Sequence, residues 1–468
     1  MDLRRESVTD LAGRVRRGEL AARELVGHAL ERIDALDPTL HAFVAVDGER
    51  ALEEAAAVDQ AVAAGHDPGP LAGIPLAVKD LEDAAGFVTS RGSALFAGGP
   101  PAAEDSILVA RLRAAGCVVV GKTNTPELGY KPDTDNPHFG PTRNPWNLDH
   151  TPGGSSGGSA VALAAGMVPL ATGSDGGGSI RIPAACCGFT GIKPSLGRVP
   201  SGGSLPPDWG DFSTKGPMAL RLADTVAALE VAVGPDPTDL RSLPKAEASW
   251  SAALENPAPP LRVAWSPTLG YADVDSEVLE LCRRGVEVLA GLGADVVQVD
   301  QVFDADPVSD WMTFVNMGNL RNLAPFRGGP EWSKVDPVLA LFVDAATSTT
   351  ALELMGSLDA CHRLNLRLVD LFRDVRLLVT PTTAAAAPPR ELAGAAMING
   401  VEDINWVKFT YPFNMTRSPA ATVCVGRTAA GIPVGLQLIG PQHGDLVVIR
   451  AAAALEAALG FDEVAPVS

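Results

Sequence analysis

The sequence predicts an α/β protein, and three observations carry that reading. Two separate segments each run apolar strand, amphipathic helix, apolar strand, a βαβ order that favours parallel pairing with the helix packed on the sheet. Hydrophobic residues make up 46% of 468 positions, enough for a sizeable buried core. At about 150 residues per domain, that length accommodates roughly three domains or one large α/β domain.

The elements follow in order. Leu11 and Val15, then Leu25, Ala29 and Ile33, then Leu52 and Ala55 recur about one helical turn apart, so residues 7 to 62 read as two or three amphipathic helices. We expect 1–65 to form a helical segment packed on a catalytic core of 66–468. The breaker cluster HDPGPLAG precedes a buried strand, Ile74 to Val78, then a helix from about Glu104 to Ala115 and a strand from Cys117 to Val120. A second such unit runs from Leu261 through Val278 to Leu292 and on to Val296. Between the two lies a glycine-dense region, 153 to 203, whose stretch Val161 to Leu170 is too apolar for a linker. Residues 302–345 mix Trp311, Phe314, Phe326 and Trp332 with Gly and Pro, which suits a substrate-covering segment and equally an ordinary surface subdomain. A long helix from about Ala351 to Phe372 leads to Leu377–Thr380, and Thr422–Val425 with Pro433–Ile439 reads as two strands joined through RTAAG.

Charge and cysteine usage narrow the function classes. Lys and Arg number 37 against 56 Asp and Glu, a formal net charge of −19, which excludes a collagen-like or disordered chain and argues against nonspecific binding to nucleic acid or an anionic membrane. The six cysteines contain no CxxC pair, so they read as reduced core thiols rather than zinc or redox ligands. The N-terminal MDLRRESVTD lacks a signal peptide's apolar stretch and no run of 18 apolar residues follows, so a cytoplasmic location is expected.

The chemistry concentrates in the glycine-serine region. Gly153-Gly154-Ser155-Ser156-Gly157 satisfies the G-x-S-x-G pattern of an esterase elbow, which would call on His362 or His443 as base. A phosphate cradle is disfavoured, because neither a Lys-Ser/Thr pair nor GxGxxG spacing accompanies these glycines. The second cluster, Gly173-Ser174-Asp175-Gly176-Gly177-Gly178-Ser179-Ile180-Arg181, places a serine directly after three residues without side chains, whose backbone amides could face one oxygen.

GIPLAVKD, PGGSSGGSA and GSDGGGSIRIPA, in that order, resemble the amidase signature family, and KTNTPELG, GIKPSLGRVP, LLVTPTT and GIPVGLQLIG extend the resemblance over nearly the whole chain. The resemblance implies a large mixed, twisted β-sheet core covered by helices on both faces. It implies Ser179 as nucleophile, Ser155 as a bridging serine after a cis peptide bond and Lys79 as terminal base, with no cofactor and no metal. The amides of Gly176, Gly177, Gly178 and Ser179 would form the oxyanion hole, and the Gly129 main chain would line the acyl side. Ser156 would support the relay, while Asp175 and Arg181 would brace the loop. Lys79 serves as a base only if neutral, and its place after the apolar run IPLAV permits the burial that favours neutrality.

The wording DGGGSIRIP is closest to bacterial amidases acting on aryl amides, nylon oligomers and carbamates. The expected partner is a small-molecule amide or carbamate, handled by a monomer or homodimer. The alternative within the family is an amidotransferase-type component of a tRNA-dependent complex, which typically has Gln where this chain has Ile182. Arg417 stands where the family usually has glycine. Specificity is expected from loops 129–150, 201–214 and 302–345 and from Asn399 to Thr416, with Trp209, Phe314, Trp332 and Trp406 as candidate aryl contacts.

Overall fold

The computed structural model describes every residue except 204, 205, 208, 246, 247, 393 and 468, so three positions of the expected 201–214 specificity loop lie outside the described residues. The strands, in chain order, are Phe43–Val46 (β1), Pro75–Lys79 (β2), Val118–Thr123 (β3), Leu170–Asp175 (β4), Gly191–Lys193 (β5), Thr214–Met218 (β6), Arg262–Trp265 (β7), Asp295–Gln298 (β8), Leu377–Pro381 (β9), Ala396–Ile398 (β10), Val401–Asp403 (β11), Ala420–Arg427 (β12) and Pro433–Ile439 (β13).

Both expected βαβ units form. β2 and β3 pair in parallel across the helix Ile107–Ala114, and β7 and β8 pair in parallel across the helix Ser276–Gly291. The second helix starts where Asp275 accepts the amides of Glu277 and Val278, satisfying two donors that its first turn leaves open. Every residue of β2, β3 and β4 is buried, which is why these strands read as continuous apolar runs rather than alternating ones.

The sheet is large and mixed, but its ladder is interrupted. One five-stranded part has the order β1-β3-β2-β4-β6 and one six-stranded part the order β5-β12-β13-β9-β7-β8, with β5 lying beside β6 where the two meet. In the first part β4 is parallel to β2 and the edges β1 and β6 are antiparallel; in the second, β12 and β13 form a hairpin through 428–432. Helices Ala22–Leu40, Gly157–Ala164, Arg181–Cys187 and Asp445–Leu459 contribute to one continuous apolar core with both parts.

The N-terminal stretch departs from the all-helical expectation. Three helices, Val8–Arg16, Ala22–Leu40 and Gly48–Ala63, are present, but the second ends at His41 in the left-handed region (φ 52°) and β1 then pairs antiparallel with β3. Phe43-Val44-Ala45-Val46 is too short for its period to be distinguished from a helical turn, and only the free edge of β3 makes it a strand.

Two serine-bearing segments converge because of this order. β2 ends at Lys79 and β4, its parallel neighbour, ends at Asp175, so both deliver their C-terminal residues to the same end of the sheet. The helix Gly157–Ala164 follows Ser155 and Ser156 and packs on β4. Its Gly158 is required by close approach, since a Cβ there would lie 2.5 Å from the Asn124 amide nitrogen.

Candidate active site

Lys79 is fully buried, and its Nζ lies 2.8 Å from Ser155 Oγ, 2.9 Å from Ser156 Oγ and 3.0 Å from Ser174 Oγ. Burial pulls its pKa down to about 7, against the opposing fields of Glu82 and Asp175. The three hydroxyls suit a neutral amine, which has two protons to donate and one lone pair to accept. Ser156 Oγ donates to Ser174 O at 3.3 Å and accepts the Ser174 amide at 3.3 Å, so toward Lys79 it acts as an acceptor. With Ser156 and Ser174 accepting from the amine, a neutral Lys79 would keep its lone pair for Ser155.

The peptide bond between Gly154 and Ser155 is cis. Ser179 lies at the surface of the cleft that Ser155 and Ser174 also line, and the Ser179 carbonyl accepts the Ser156 amide at 3.3 Å. The side chains of Ser155 and Ser179 are not hydrogen-bonded to each other, so of the two expected side-chain contacts one is made and the other is open.

The loop 176–179 is braced from below. Fully buried Arg181 meets Asp175 through two bonds, Nη2 to Oδ1 at 2.8 Å and Nε to Oδ2 at 3.0 Å, and extends to Gln437 Oε1, Asn414 Oδ1 and Thr410 O. Desolvation alone would raise the Asp175 pKa; the Arg181 guanidinium and further hydrogen bonds outweigh it and hold the carboxyl well below the usual range. Asp175 also accepts the amides of Gly178, Ile180 and Arg181. This corrects one expectation: the Gly178 amide, 2.8 Å from Asp175 Oδ1, is committed to the brace rather than to an oxyanion. Among the described residues the amides of Gly176, Gly177 and Ser179 have no acceptor and remain available. Gly178 itself has φ 130°, and a Cβ there would fall 2.4 Å from Thr410 Oγ1.

The esterase-elbow reading fails on the same geometry. Ser155 is preceded by irregular loop rather than a strand, and its hydroxyl meets a lysine. His443 sits in a turn after β13 and His362 inside the helix Ala351–Asp374, neither lining the cleft.

Two chambers meet at Ser179, and Gly129 lines both. One, about 170 Å³, is walled largely by polar groups including Ser155, Ser174, Glu82 and Lys215. The other, about 340 Å³, is apolar, with Ile182, Trp209, Trp311, Phe342, Val407 and Tyr411 in its wall. The 302–345 segment forms helices Val308–Leu323 and Pro337–Ala346, and the first lies over the serine loop: Trp311 Nε1 donates to Gly176 O at 3.0 Å and Trp209 Nε1 to Asn319 Oδ1 at 2.9 Å. Trp311 stacks on Tyr411 at 5.3 Å and meets Trp209 edge-on at 6.0 Å. Of the four candidate aryl contacts only Trp209 lines this chamber. Phe314 stacks on Phe212, Trp406 is buried with its indole donating to Gly394 O, and Trp332 belongs to a satellite cluster around Leu339.

Sequence reasoning missed Ser174, Thr410, Asn414 and Gln437. Gln437 carried a signal, a lone polar residue in the otherwise apolar strand PVGLQLIG, which demands a buried partner. Arg417 has φ 59°, a left-handed conformation that favours glycine, and its guanidinium pairs at the surface with Asp211 at 2.7 Å. Among the described residues no group of three or more His, Cys, Asp or Glu side chains is placed to hold a metal ion.

The sequence matches the amidase family over residues 24–318 and 328–448. The chain belongs to the amidase family. It is 36% identical over 456 residues to an acylamidase of Rhodococcus erythropolis, covering 96% of this chain and 95% of the relative. It is also 37% identical over 489 residues to a glutamyl-tRNA(Gln) amidotransferase subunit of Salinispora arenicola, covering 98% of each. The structure of a bacterial aryl acylamidase of the amidase signature family superposes with a TM-score of 0.91 at 29% identity, covering 97% of this chain and 96% of that one. These amidase-family relatives support an amide-hydrolysing enzyme.

Proposed function

We propose that this amidase-family chain is a serine amidohydrolase that cleaves aryl amides and anilides, with carbamates and esters as further substrates, through an acyl-enzyme on Ser179. The observation that carries the reading is the buried Lys79 amine, its pKa lowered by that burial, 2.8 Å from Ser155 Oγ. Ser179 gives its proton to Ser155 as Ser155 gives its own to Lys79, and Ser179 Oγ bonds to the carbonyl carbon. The resulting oxyanion is received by the free amides of Gly176, Gly177 and Ser179, where losing one donor typically costs roughly 3 to 4 kcal/mol of transition-state stabilisation. The relay then reverses: Lys79 protonates Ser155, Ser155 protonates the leaving nitrogen, and the carbon–nitrogen bond breaks. Water gives its proton through Ser155 to Lys79 and attacks the ester on Ser179; the relay then returns that proton through Ser155 to Ser179 Oγ as the carbon–oxygen bond breaks and the acid leaves. A carbamate presents the same carbonyl, so urethane cleavage needs no additional catalytic group.

The apolar chamber with Trp209, Trp311 and Tyr411 is suited to an aryl or apolar acyl group. Ile182 lies in its wall, at the position where the tRNA-dependent amidotransferase component typically has glutamine. The enzyme works on small molecules in the cytoplasm as a monomer or homodimer, without nucleic acid or membrane; among the described residues no single helix is long and apolar enough to cross a membrane. Recovery only as part of a multisubunit, tRNA-binding complex would favour the amidotransferase reading instead.

The relay predicts a pH profile. Because the base must be neutral, kcat/KM for a nitroanilide is expected to rise with an inflection near the Lys79 pKa of about 7 and to level off above it. A second buried lysine, Lys193, is also pulled to about 7, by burial and by Arg181, but its Nζ donates to Pro194 O at 3.1 Å and meets no serine. Lys193→Met should therefore keep the inflection. A profile flat from pH 5 to 9, or turnover abolished by a chelator, would count against the mechanism.

A further inference from the structure

We propose, resting on the amidohydrolase reading above, that the polar chamber receives the amine half of the substrate and that Asp83 and Glu104 at its mouth select leaving amines carrying a second, positively charged group. The orientation follows from the relay. Ser155 must return the proton to the leaving nitrogen, and Ser155 and Ser174 line the polar chamber but not the apolar one. The leaving nitrogen and its substituent therefore lie on the polar side, and the acyl group on the side of Trp311 and Tyr411.

Among the described residues that side carries more acidic than basic side chains. Glu82, Asp83, Glu104 and Asp105 line it together with Arg91 and Lys215. Two of the carboxylates are engaged: Glu82 Oε2 with Lys215 at 2.9 Å, and Asp105 with Arg113 at 3.2 Å. Asp83 and Glu104 are exposed and, among the described residues, neither forms a salt bridge; the cation whose field Asp83 shares, Lys122, is buried against Asp80 and Thr89. Arg91 is turned to the Phe96 ring, with its guanidinium carbon 5.5 Å from the centroid. Independently, Glu82 is almost wholly buried in the wall of this chamber and, among the described residues, its Oε1 has no hydrogen-bond partner. A buried carboxylate oxygen left open is an acceptor for a donor supplied from outside the chain. An ammonium reaching out from the leaving amine meets the exposed carboxylates Asp83 and Glu104, with the buried Glu82 carboxylate behind the wall adding to the negative field, within a protein whose formal charge of −19 already concentrates cations.

The test compares N-(4-aminobutyl)benzamide with its neutral isostere N-pentylbenzamide, in wild type and in Asp83→Asn/Glu104→Gln. Both substitutions are on exposed side chains outside the relay. Wild type is expected to favour the cationic amide in kcat/KM by about fivefold at low salt, with the ratio shrinking at about 0.5 M salt, and the double variant to bring it to about one without changing turnover of N-pentylbenzamide. 4-(Aminomethyl)-N-pentylbenzamide, charged on the acyl side, should gain nothing over N-pentylbenzamide. A wild-type ratio of one, a preference that survives the double substitution, or a gain for the acyl-charged amide overturns the cation site while leaving the amidohydrolase standing. Absence of any amide cleavage, together with no fluorophosphonate labelling of Ser179, overturns both.

Discussion

Ser179→Ala is expected to lower kcat/KM for a nitroanilide by about 10⁴-fold or more, with the thermal unfolding temperature unchanged within a few degrees. The hydroxyl it removes is the only atom proposed to bond to the carbonyl carbon, and its loss leaves no buried partner unsatisfied, since Ser155 does not hydrogen-bond to it. Lys79→Ala should cost nearly as much, because the proposed serine relay ends there, and combining the two should cost little more than either alone, as expected for groups acting in one chain. Ser156→Ala should cost less: Ser156 fixes the amine by accepting from it at 2.9 Å but lies off the proposed route of the proton. Fluorophosphonate labelling, lost in Ser179→Ala and slowed in Lys79→Ala, separates these effects from misfolding. Ser179→Ala retaining even a tenth of wild-type activity would end the nucleophile assignment.

Arg181→Leu is expected to destabilise the protein by about 3 to 5 kcal/mol and to abolish activity although it touches no substrate. The guanidinium bonds both oxygens of a wholly buried carboxylate and ties Gln437, Asn414 and Thr410 to the serine loop. Without it Asp175 remains buried with an uncompensated charge, and the carboxylate that holds the Gly178 amide loses its anchor. Asp175→Asn/Arg181→Leu should recover part of the stability but not the activity, since the loop would still lack its brace. The sign of the pH dependence follows from the depressed Asp175 pKa: its contribution to stability is complete above the ordinary value of 3.8 and declines as pH falls below it. Denaturant unfolding of the three proteins at pH 7 and pH 3 measures this; equal stability of wild type and Arg181→Leu at pH 7 would show the pair to be dispensable.

The local pattern of the chain was enough for much of this. Two βαβ units, the helix Ala351–Asp374 and the hairpin of β12 and β13 each carry their period and their breakers within a few dozen residues. β1 was not legible, because four residues cannot show whether they alternate by two or by 3.6, and the break between β5 and β6 was not, because strand pairing is not written in either strand.

The same division runs through the site. Sequence alone determined the chemical cast: a lysine ending an apolar strand, two glycine-flanked serine segments, and an aspartate and arginine around the second of them. Tertiary structure alone decided who touches whom. It set the Ser174 and Ser156 hydroxyls on the Lys79 amine, turned the Gly178 amide to Asp175, and laid Trp311 over Gly176 from a helix more than a hundred residues away. Residue types follow from what a reaction needs, whereas hydrogen-bond partners follow from which of several equally able donors and acceptors the packed chain brings within about 3 Å, and only closure of the fold makes that choice.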